Sequence, residues 1–391
     1  MGQGYQWVRE GRGPQVHEVL ARRDQAGWAN LDDFVLGPGA PIDQGDLIQQ
    51  RWSLYGLDEA RDLAVFVDLP EETDLADSPF AYATQHRLAR RVATISLTDL
   101  ERLADLAAPV GPLIFIFSIG RCGSTLMSHA LNAVPGVWCL SEPDAYSTLV
   151  MQHYHSADRA VFARDQVVRL IRACTKLQFR PPVGRQATTF AVKFRSHALF
   201  QAELYHEAFP EAAFVFLYRD ALGWANSIYC MMRQYSFADI LTGDDRVLPW
   251  SIFTAAADRR KLEPFVDIAA PGVPMELALA PAWALNMAEY TRQLQLGVPF
   301  LALRYNEFNR DRTASLTQLL QHCRLPEDAV AQTLAAFDAD SQAGTKLARE
   351  VATERLSAER LERLRGILAR DITFGDPDLK LEDIYAGNNQ T

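Results

Sequence analysis

The sequence is short of cysteine, with five in 391 residues, at positions 122, 139, 174, 230 and 323, and no C-x-x-C pair. That argues against a disulfide framework or a cysteine zinc site and for free thiols in a reducing compartment. Long hydrophobic runs are missing too. No uninterrupted apolar stretch reaches the ~20 residues that a spanning helix needs. No basic start leads into an apolar core and a cleavage site, so the expectation is a cytoplasmic protein without a membrane partner. Positive charge is in deficit, the net charge being −10. Nucleic acid is therefore not an expected partner, and a polyanionic ligand must be gripped by a local basic pocket against the overall field. Internal repeats and low-complexity tracts are absent as well. What remains, 48% hydrophobic and 23% charged, is the composition of a globular protein with room for one large domain and a smaller elaboration.

What is there centres on one stretch. Leu113-Ile-Phe-Ile-Phe117 is an apolar run of strand length, Ser118-Ile-Gly-Arg-Cys-Gly-Ser-Thr125 is a glycine-bearing turn, and Leu126, Met127, Ala130, Leu131 and Val134 are spaced for a helix. Strand, turn and helix in that order make an anion cradle. Gly120 and Gly123 allow positive φ and close backbone approach, and the first N–H groups of the helix lie unpaired at the positive end of its dipole. Arg121 adds a fixed cation, and Ser124 and Thr125 add hydroxyl donors. The turn is not a G-x-x-x-x-G-K-[S/T] loop, because Ser124 follows Gly123 directly and no Lys is present. Nor is it a cysteine phosphatase cradle, since Ser128 stands where C-x5-R needs Arg. Most of the cysteines read as small core residues, but Cys122 lies at a helix N-terminus, which lowers a thiol's pKa, and reactivity is expected there.

Residues 1–110 carry the weakest pattern. Leu63–Leu69 reads as a strand, Pro70–Pro79 as an acidic loop bounded by prolines, and Thr98-Asp-Leu-Glu101 fits a capping box ahead of Leu100, Leu103 and Leu106. Trp7, Trp28 and Trp52 are expected in the packing of this part. From Pro112 onward strands and helices alternate, which implies a parallel sheet covered on both faces. Strands are expected at Val137–Leu140, Thr189–Lys193, Ala213–Tyr218 and Pro299–Tyr305. Helices are expected at Phe162–Leu177, Leu199–Phe209, Ala282–Gln295, Ala314–Cys323, Glu327–Phe337 and Ala358–Ala369. Ligands of such sheets collect beyond the carboxyl ends of the strands, where Arg121, Glu142, Lys193 and Arg219 all fall. Residues 236–280 have no clear period and read as an inserted flap or lid facing substrate.

The turn Arg121-Cys-Gly-Ser-Thr125, directly after a buried strand, resembles the [K/R]-x-G-[T/S]-[T/S] loop that binds the 5′-phosphosulfate in sulfotransferases dependent on 3′-phosphoadenosine-5′-phosphosulfate (PAPS), of bacterial or cytosolic type. In that family another apolar strand ends in Arg, with a Ser eight positions later, and the two bind the 3′-phosphate. Phe214-Val-Phe-Leu-Tyr-Arg219 and Ser227 match that spacing. Arg304-Tyr-Asn-Glu-Phe308 resembles the family's strand-ending Y-E-D-L segment, with Tyr305 placed to reach adenine. Gly344-Thr-Lys346 with Arg349 is a loose counterpart of its late basic loop, the usual R-K-G order being missing. The resemblance covers about 110–350. It implies an α/β fold with a three-layer, P-loop-type parallel sheet and helices on both faces, spanning 111–391, plus an N-terminal extension or accessory domain at 1–110. It also implies PAPS as donor, adenosine 3′,5′-bisphosphate as product, no metal, and a small-molecule or glycan acceptor. The nucleotide would be held by Arg121, Cys122, Gly123, Ser124, Thr125, Arg219, Ser227, Tyr305, Gly344, Thr345 and Lys346. The absence of an anchor argues for a bacterial or cytosolic enzyme over a Golgi type.

Sulfuryl transfer, like phosphoryl transfer, passes an electron-poor group in line between two oxygens, and the protein mainly positions both and neutralises growing charge. By resemblance, Arg121 takes the place of the family's loop Lys and stabilises the leaving phosphate, though it cannot give up a proton as Lys can. Lys193 matches the Lys of the next strand, which touches the transferring sulfonate and the acceptor. Cytosolic aryl sulfotransferases carry His two residues after that Lys, where this chain has Arg195. Ser141-Glu-Pro143 instead matches the Glu-Pro context of glycan and some bacterial members, so Glu142 is the expected base, with His197, His153, His155 and His129 as fallbacks. Two other classes remain. A P-loop kinase-like phosphotransferase would use Asp220, after its apolar strand, for Mg²⁺, but Arg219 and the missing loop Lys speak against it. A non-catalytic nucleotide-binding protein is opposed by the intact set Arg121, Glu142, Lys193, Arg219 and Ser227. Neither the acceptor nor the oligomeric state is legible in the sequence.

Overall fold

The computed structural model describes residues 13–25, 27–49, 51–108, 110–154, 162–181, 184–235, 241–242, 246–247, 267, 270, 272–338, 355–370 and 374–381. In chain order the strands are β1 (Gln15–Arg22), β2 (Phe34–Leu36), β3 (Ala40–Pro41), β4 (Trp52–Asp58), β5 (Leu63–Asp68), β6 (Arg91–Ser96), β7 (Leu113–Ser118), β8 (Val137–Ser141), β9 (Thr189–Lys193), β10 (Ala213–Tyr218), β11 (Leu241–Thr242), β12 (Arg246–Val247), β13 (Val273–Pro274) and β14 (Phe300–Arg304). The helices are α1 (Ala81–Leu88), α2 (Leu97–Leu106), α3 (Ser124–Asn132), α4 (Asp144–Tyr154), α5 (Arg164–Gln178), α6 (Ala202–Ala208), α7 (Ala221–Tyr235), α8 (Met275–Gln295), α9 (Tyr305–Arg310), α10 (Arg312–His322), α11 (Val330–Ala335) and α12 (Ala358–Leu368). One sheet runs β2-β1-β6-β5-β4 with β3 on β1, and a second runs β14-β10-β7-β9-β8. The protein is thus α/β, with a five-stranded parallel sheet among helices, as expected. Among the described residues no helix is long and apolar enough to cross a membrane.

Two compact units divide the chain. The first comprises 1–113, 136–192 and 204–211, and the second 114–135, 193–203 and 212–391. In the first, β4, β5 and β6 pair antiparallel. A bulge falls between Leu54 and Gly56, and a Cβ on Gly56 would strike the carbonyl of Ala29. At the end of β5 the Asp68 carboxylate, 1% exposed, accepts hydrogen bonds from Arg51 (2.8 and 2.7 Å) and Arg91 (2.8 Å). Trp52 is buried in this unit, and Trp7 lies outside the described residues. The start of α2 differs from expectation. Its cap is Ser96, whose hydroxyl oxygen accepts from the Asp99 N–H at 3.0 Å while its O–H donates to the Asp99 carboxylate at 2.8 Å. Strand β6 runs up to Ser96 and the chain turns straight into the helix, burying Leu97, so the cap falls two residues before Thr98.

In the second unit β7, β10 and β14 are parallel, and their register sets Phe115 beside Phe214 and Phe214 beside Phe300. The rings of Phe115 and Phe214 are 5.6 Å apart and those of Phe214 and Phe300 6.0 Å, both edge to face. Strands buried on both faces read as unbroken apolar runs, which is why these were visible in the sequence. Helix α8 corrects the expectation of a start at Ala282, for it begins at Met275 and runs through Pro281. Proline costs the helix a hydrogen bond, but Met275, Ala278, Leu279 and Trp283 are buried on either side of it. Glu276, 1% exposed, is also paired with Arg360 (2.8 Å) and Arg363 (3.0 Å) near α12. The expected helix at Leu199–Phe209 starts as a 3₁₀ turn, Ser196–Gln201, before α6. Of the stretch 236–280, the described residues include β11, β12 and β13, a small antiparallel sheet, and the first turns of α8.

Candidate active site

The turn after β7 is built from left-handed backbone. Gly120 (φ 71°), Arg121 (φ 52°) and Gly123 (φ 81°) all have positive φ, which for Arg121 costs roughly 1–3 kcal/mol. Gly123 is the N-cap of α3 and offers no side chain to its first N–H groups, and Ser124 and Thr125 follow as buried residues. An uncapped helix start over a turn of this shape presents converging donors to an anion. The indole N–H of Trp224, on α7, donates to the Ile119 carbonyl at 3.0 Å and so fixes the entry to the turn.

The two motifs that the sequence placed far apart meet here. Arg121 Nε donates to the Ser227 hydroxyl oxygen at 3.0 Å. The Arg219 guanidinium lies 4.7 Å from the centre of the Tyr305 ring. Gly123 also borders that ring, since its added Cβ would stand 3.0 and 3.1 Å from Tyr305 Cε2 and Cδ2. The Tyr305 ring therefore touches both the second cation and the turn. Trp283, fully buried on α8, donates its indole N–H to the Arg219 carbonyl at 2.9 Å. Sequence reasoning missed both tryptophans, because a buried Trp in a helix carries no signal beyond core packing.

The remaining candidates are placed as follows. Lys193 is the buried last residue of β9, and its charge acts on the Cys122 thiol. Glu142 follows β8, in the first unit, with φ 53°. Among the described residues the non-glycine residues with positive φ are Asp62, Arg121, Glu142 and Arg324, so two of the four are expected catalytic groups. Asp220 caps α7, its Oδ1 accepting from the Gly223 N–H at 2.6 Å, and its Oδ2 lies 3.7 Å from Arg219 Nε. Cys122 corrects the expectation of a reactive thiol. Its Sγ points at the Leu217 carbonyl, 3.2 Å away, and burial pushes the thiol up to about 11 against the pull of Lys193 and Arg219. His197 is buried in the 3₁₀ turn after β9 and His129 lies on α3. Gly344, Thr345, Lys346, Arg349 and His155 lie outside the described residues.

Fold and turn together define an α/β protein with an uncapped helix start beyond a strand tip, a geometry suited to an anion. Residues 112–268 match the model of the sulfotransferase family, and over that segment the chain is similar to it. No curated protein sequence matches the chain. Similar solved structures include a sulfotransferase from Alicyclobacillus acidocaldarius, 13% identical, covering 68% of this chain and 94% of that one with a TM-score of 0.37. Sulfotransferase STF9 from Mycobacterium avium is 14% identical, covering 73% and 81% with a TM-score of 0.40. Mouse sulfotransferase SULT7A1, complexed with PAP, is 10% identical, covering 72% and 92% with a TM-score of 0.31.

Proposed function

We propose that the protein transfers a sulfonate group from PAPS to a hydroxyl or amine of a small-molecule or glycan acceptor. The observation that carries this reading is the convergence of Arg121, Ser227, Arg219 and Tyr305 on one uncapped helix start. Two cations, one beside a hydroxyl and one against an aromatic ring that borders the same turn, suit a nucleotide with phosphate at both ends, since guanidinium grips phosphate through paired hydrogen bonds. The α3 start, Arg121, Ser124 and Thr125 would hold the 5′-phosphosulfate, and Arg219 with Ser227 the 3′-phosphate. The donor brings the activated sulfonate. Arg121 neutralises charge at the leaving phosphate, and Lys193 orients the sulfonate and acceptor. Glu142 takes the acceptor proton on its carboxylate, and its left-handed backbone is the strain expected where a side chain is held for function.

Two measurements test this. Calorimetry is expected to show adenosine 3′,5′-bisphosphate binding without Mg²⁺, and Arg219→Ala weakening it by roughly 1.5–3 kcal/mol, the range for hydrogen bonds to charged groups. A preference for ATP with Mg²⁺ would favour the kinase-like reading. Radiolabelled transfer from PAPS to a panel of alcohols, phenols, sugars and amines is expected to label at least one class, and nucleotide binding without any transfer would leave a binding protein.

A further inference from the structure

Arg219 and Tyr305 follow directly on two neighbouring strand tips, and one distant segment grips the residues on either side of both. The Leu381 N–H donates to the Tyr218 hydroxyl at 3.0 Å, and the Ala221 N–H donates to the Pro377 carbonyl at 2.9 Å, so the chain is tied before and after Arg219. Arg304 Nη2 donates to Asp378 Oδ1 at 3.1 Å, and Lys380 Nζ pairs with Glu307 Oε1 at 2.7 Å, so it is tied before and after Tyr305. We infer that residues 377–381 form a positioning strap that sets the Arg219–Tyr305 stack and thereby the preference of the site for a nucleotide carrying a 3′-phosphate. This rests on the reading of Arg219 as the 3′-phosphate ligand.

The dependence is physical. The Arg219 guanidinium is held by the Tyr305 ring and by Asp220 at 3.7 Å, and among the described residues its Nε finds no hydrogen-bond partner. Its position therefore follows the ring, and the ring follows the backbone at 304–305. Arg304 is only 8% exposed, and the carboxylate it pairs with is Asp378 of the strap, itself 76% exposed. Without Asp378 a buried cation must shift toward water, and it takes the root of Tyr305 with it. Lys380 and Glu307 hold the other side of the same short helix, α9. The strap does not bind the nucleotide. It determines where the group that does bind it stands.

The test compares adenosine 3′,5′-bisphosphate with adenosine 5′-phosphate by calorimetry on the full chain. Wild type is expected to prefer the bisphosphate by at least about tenfold, the lower end of what a charged hydrogen bond supplies. In Asp378→Asn/Lys380→Met the ratio is expected to fall by about fivefold or more, with affinity for the monophosphate kept within about twofold. Asp378→Glu is expected to keep the wild-type ratio. General loosening would weaken both ligands together and leave the ratio alone, so an unchanged ratio overturns the inference. Should the double variant fail to fold, Lys380→Met decides alone, both partners being part-exposed, and its ratio is expected to drop about twofold. An unchanged ratio there overturns the inference too. Wild type showing no preference would instead overturn the assignment of Arg219, and the strap with it.

Discussion

Gly123→Ala separates the two duties of the turn after β7, holding an unusual backbone and seating a ring. An L residue in the left-handed region costs roughly 1–2 kcal/mol, offset in part by the ~0.4–1 kcal/mol that Gly→Ala recovers from the unfolded chain. Gly297, φ 89° with nothing within 4 Å of its added Cβ, carries that backbone cost alone. At Gly123 the new methyl also meets the Tyr305 ring at 3.0 and 3.1 Å, so the ring must retreat by a few tenths of an ångström. The ring carries Arg219, and a cation over an aromatic face is worth about 0.5–2 kcal/mol. Both variants are therefore expected to lose thermal stability, Gly123→Ala the more, at ~2–4 °C per kcal/mol for a unit of this size. Only Gly123→Ala is expected to weaken adenosine 3′,5′-bisphosphate, by about 1–2 kcal/mol or roughly 5–30-fold. Melting curves and calorimetry on both proteins supply the comparison. Wild-type affinity in Gly123→Ala, or an equal loss in Gly297→Ala, would refute the stacked arrangement as the link between turn and second cation.

Three further outcomes are expected. Glu142→Gln should lower turnover while leaving nucleotide affinity nearly unchanged, and a fully active variant removes Glu142 from the base role. Cys122 should resist iodoacetamide at pH 8 in the folded protein, because its buried thiol is pushed up to about 11, and rapid alkylation located there by mass spectrometry would contradict its placement. Burial alone would raise the Asp68 carboxyl, but the hydrogen bonds from Arg51 and Arg91 outweigh it and hold it below the usual carboxylate range. Its contribution is present above the unfolded value of about 3.9 and lost as pH falls through the folded value. Asp68→Asn should thus cost roughly 1–3 kcal/mol at neutral pH and flatten the acid limb of the stability profile; a profile as steep as wild type's would show that another group sets it.

How much of this was legible depends on where the sequence signal comes from. β7, β10 and β14 could be read because strands buried on both faces must be apolar at every position. The antiparallel sheet of the first unit could not, beyond β5. β1 is largely exposed, with Leu20 66% exposed, and its partners β2 and β3 are three and two residues long. Periodicity needs length and a wet and a dry face, and these strands offer neither consistently. At α8 the opposite holds, for Pro281 stands inside the helix. Its local signal is strong, yet the buried face of α8 and the pairing of Glu276 with two arginines override one missing hydrogen bond.

In the candidate site, the resemblance was enough to single out Arg121, Ser227, Arg219 and Tyr305, two cations, a hydroxyl and a ring, as candidates. Their order in space was not legible there. That Arg219 meets the Tyr305 ring follows from the parallel pairing of β10 with β14, which sets Tyr218 opposite Arg304 and so starts both following residues at one level. The misjudged Cys122 turns on the same distinction between what a residue is and what surrounds it. The rule that a helix start lowers a thiol's pKa presumes access to solvent, and here desolvation exceeds the combined pull of Lys193 and Arg219. Two cations that cannot ionise a neighbouring thiol are not spent on it. Arg219 lies instead against the Tyr305 ring, 4.7 Å from its centre, and beside the Asp220 carboxylate at 3.7 Å, so its position is set by those two groups and not by the thiol.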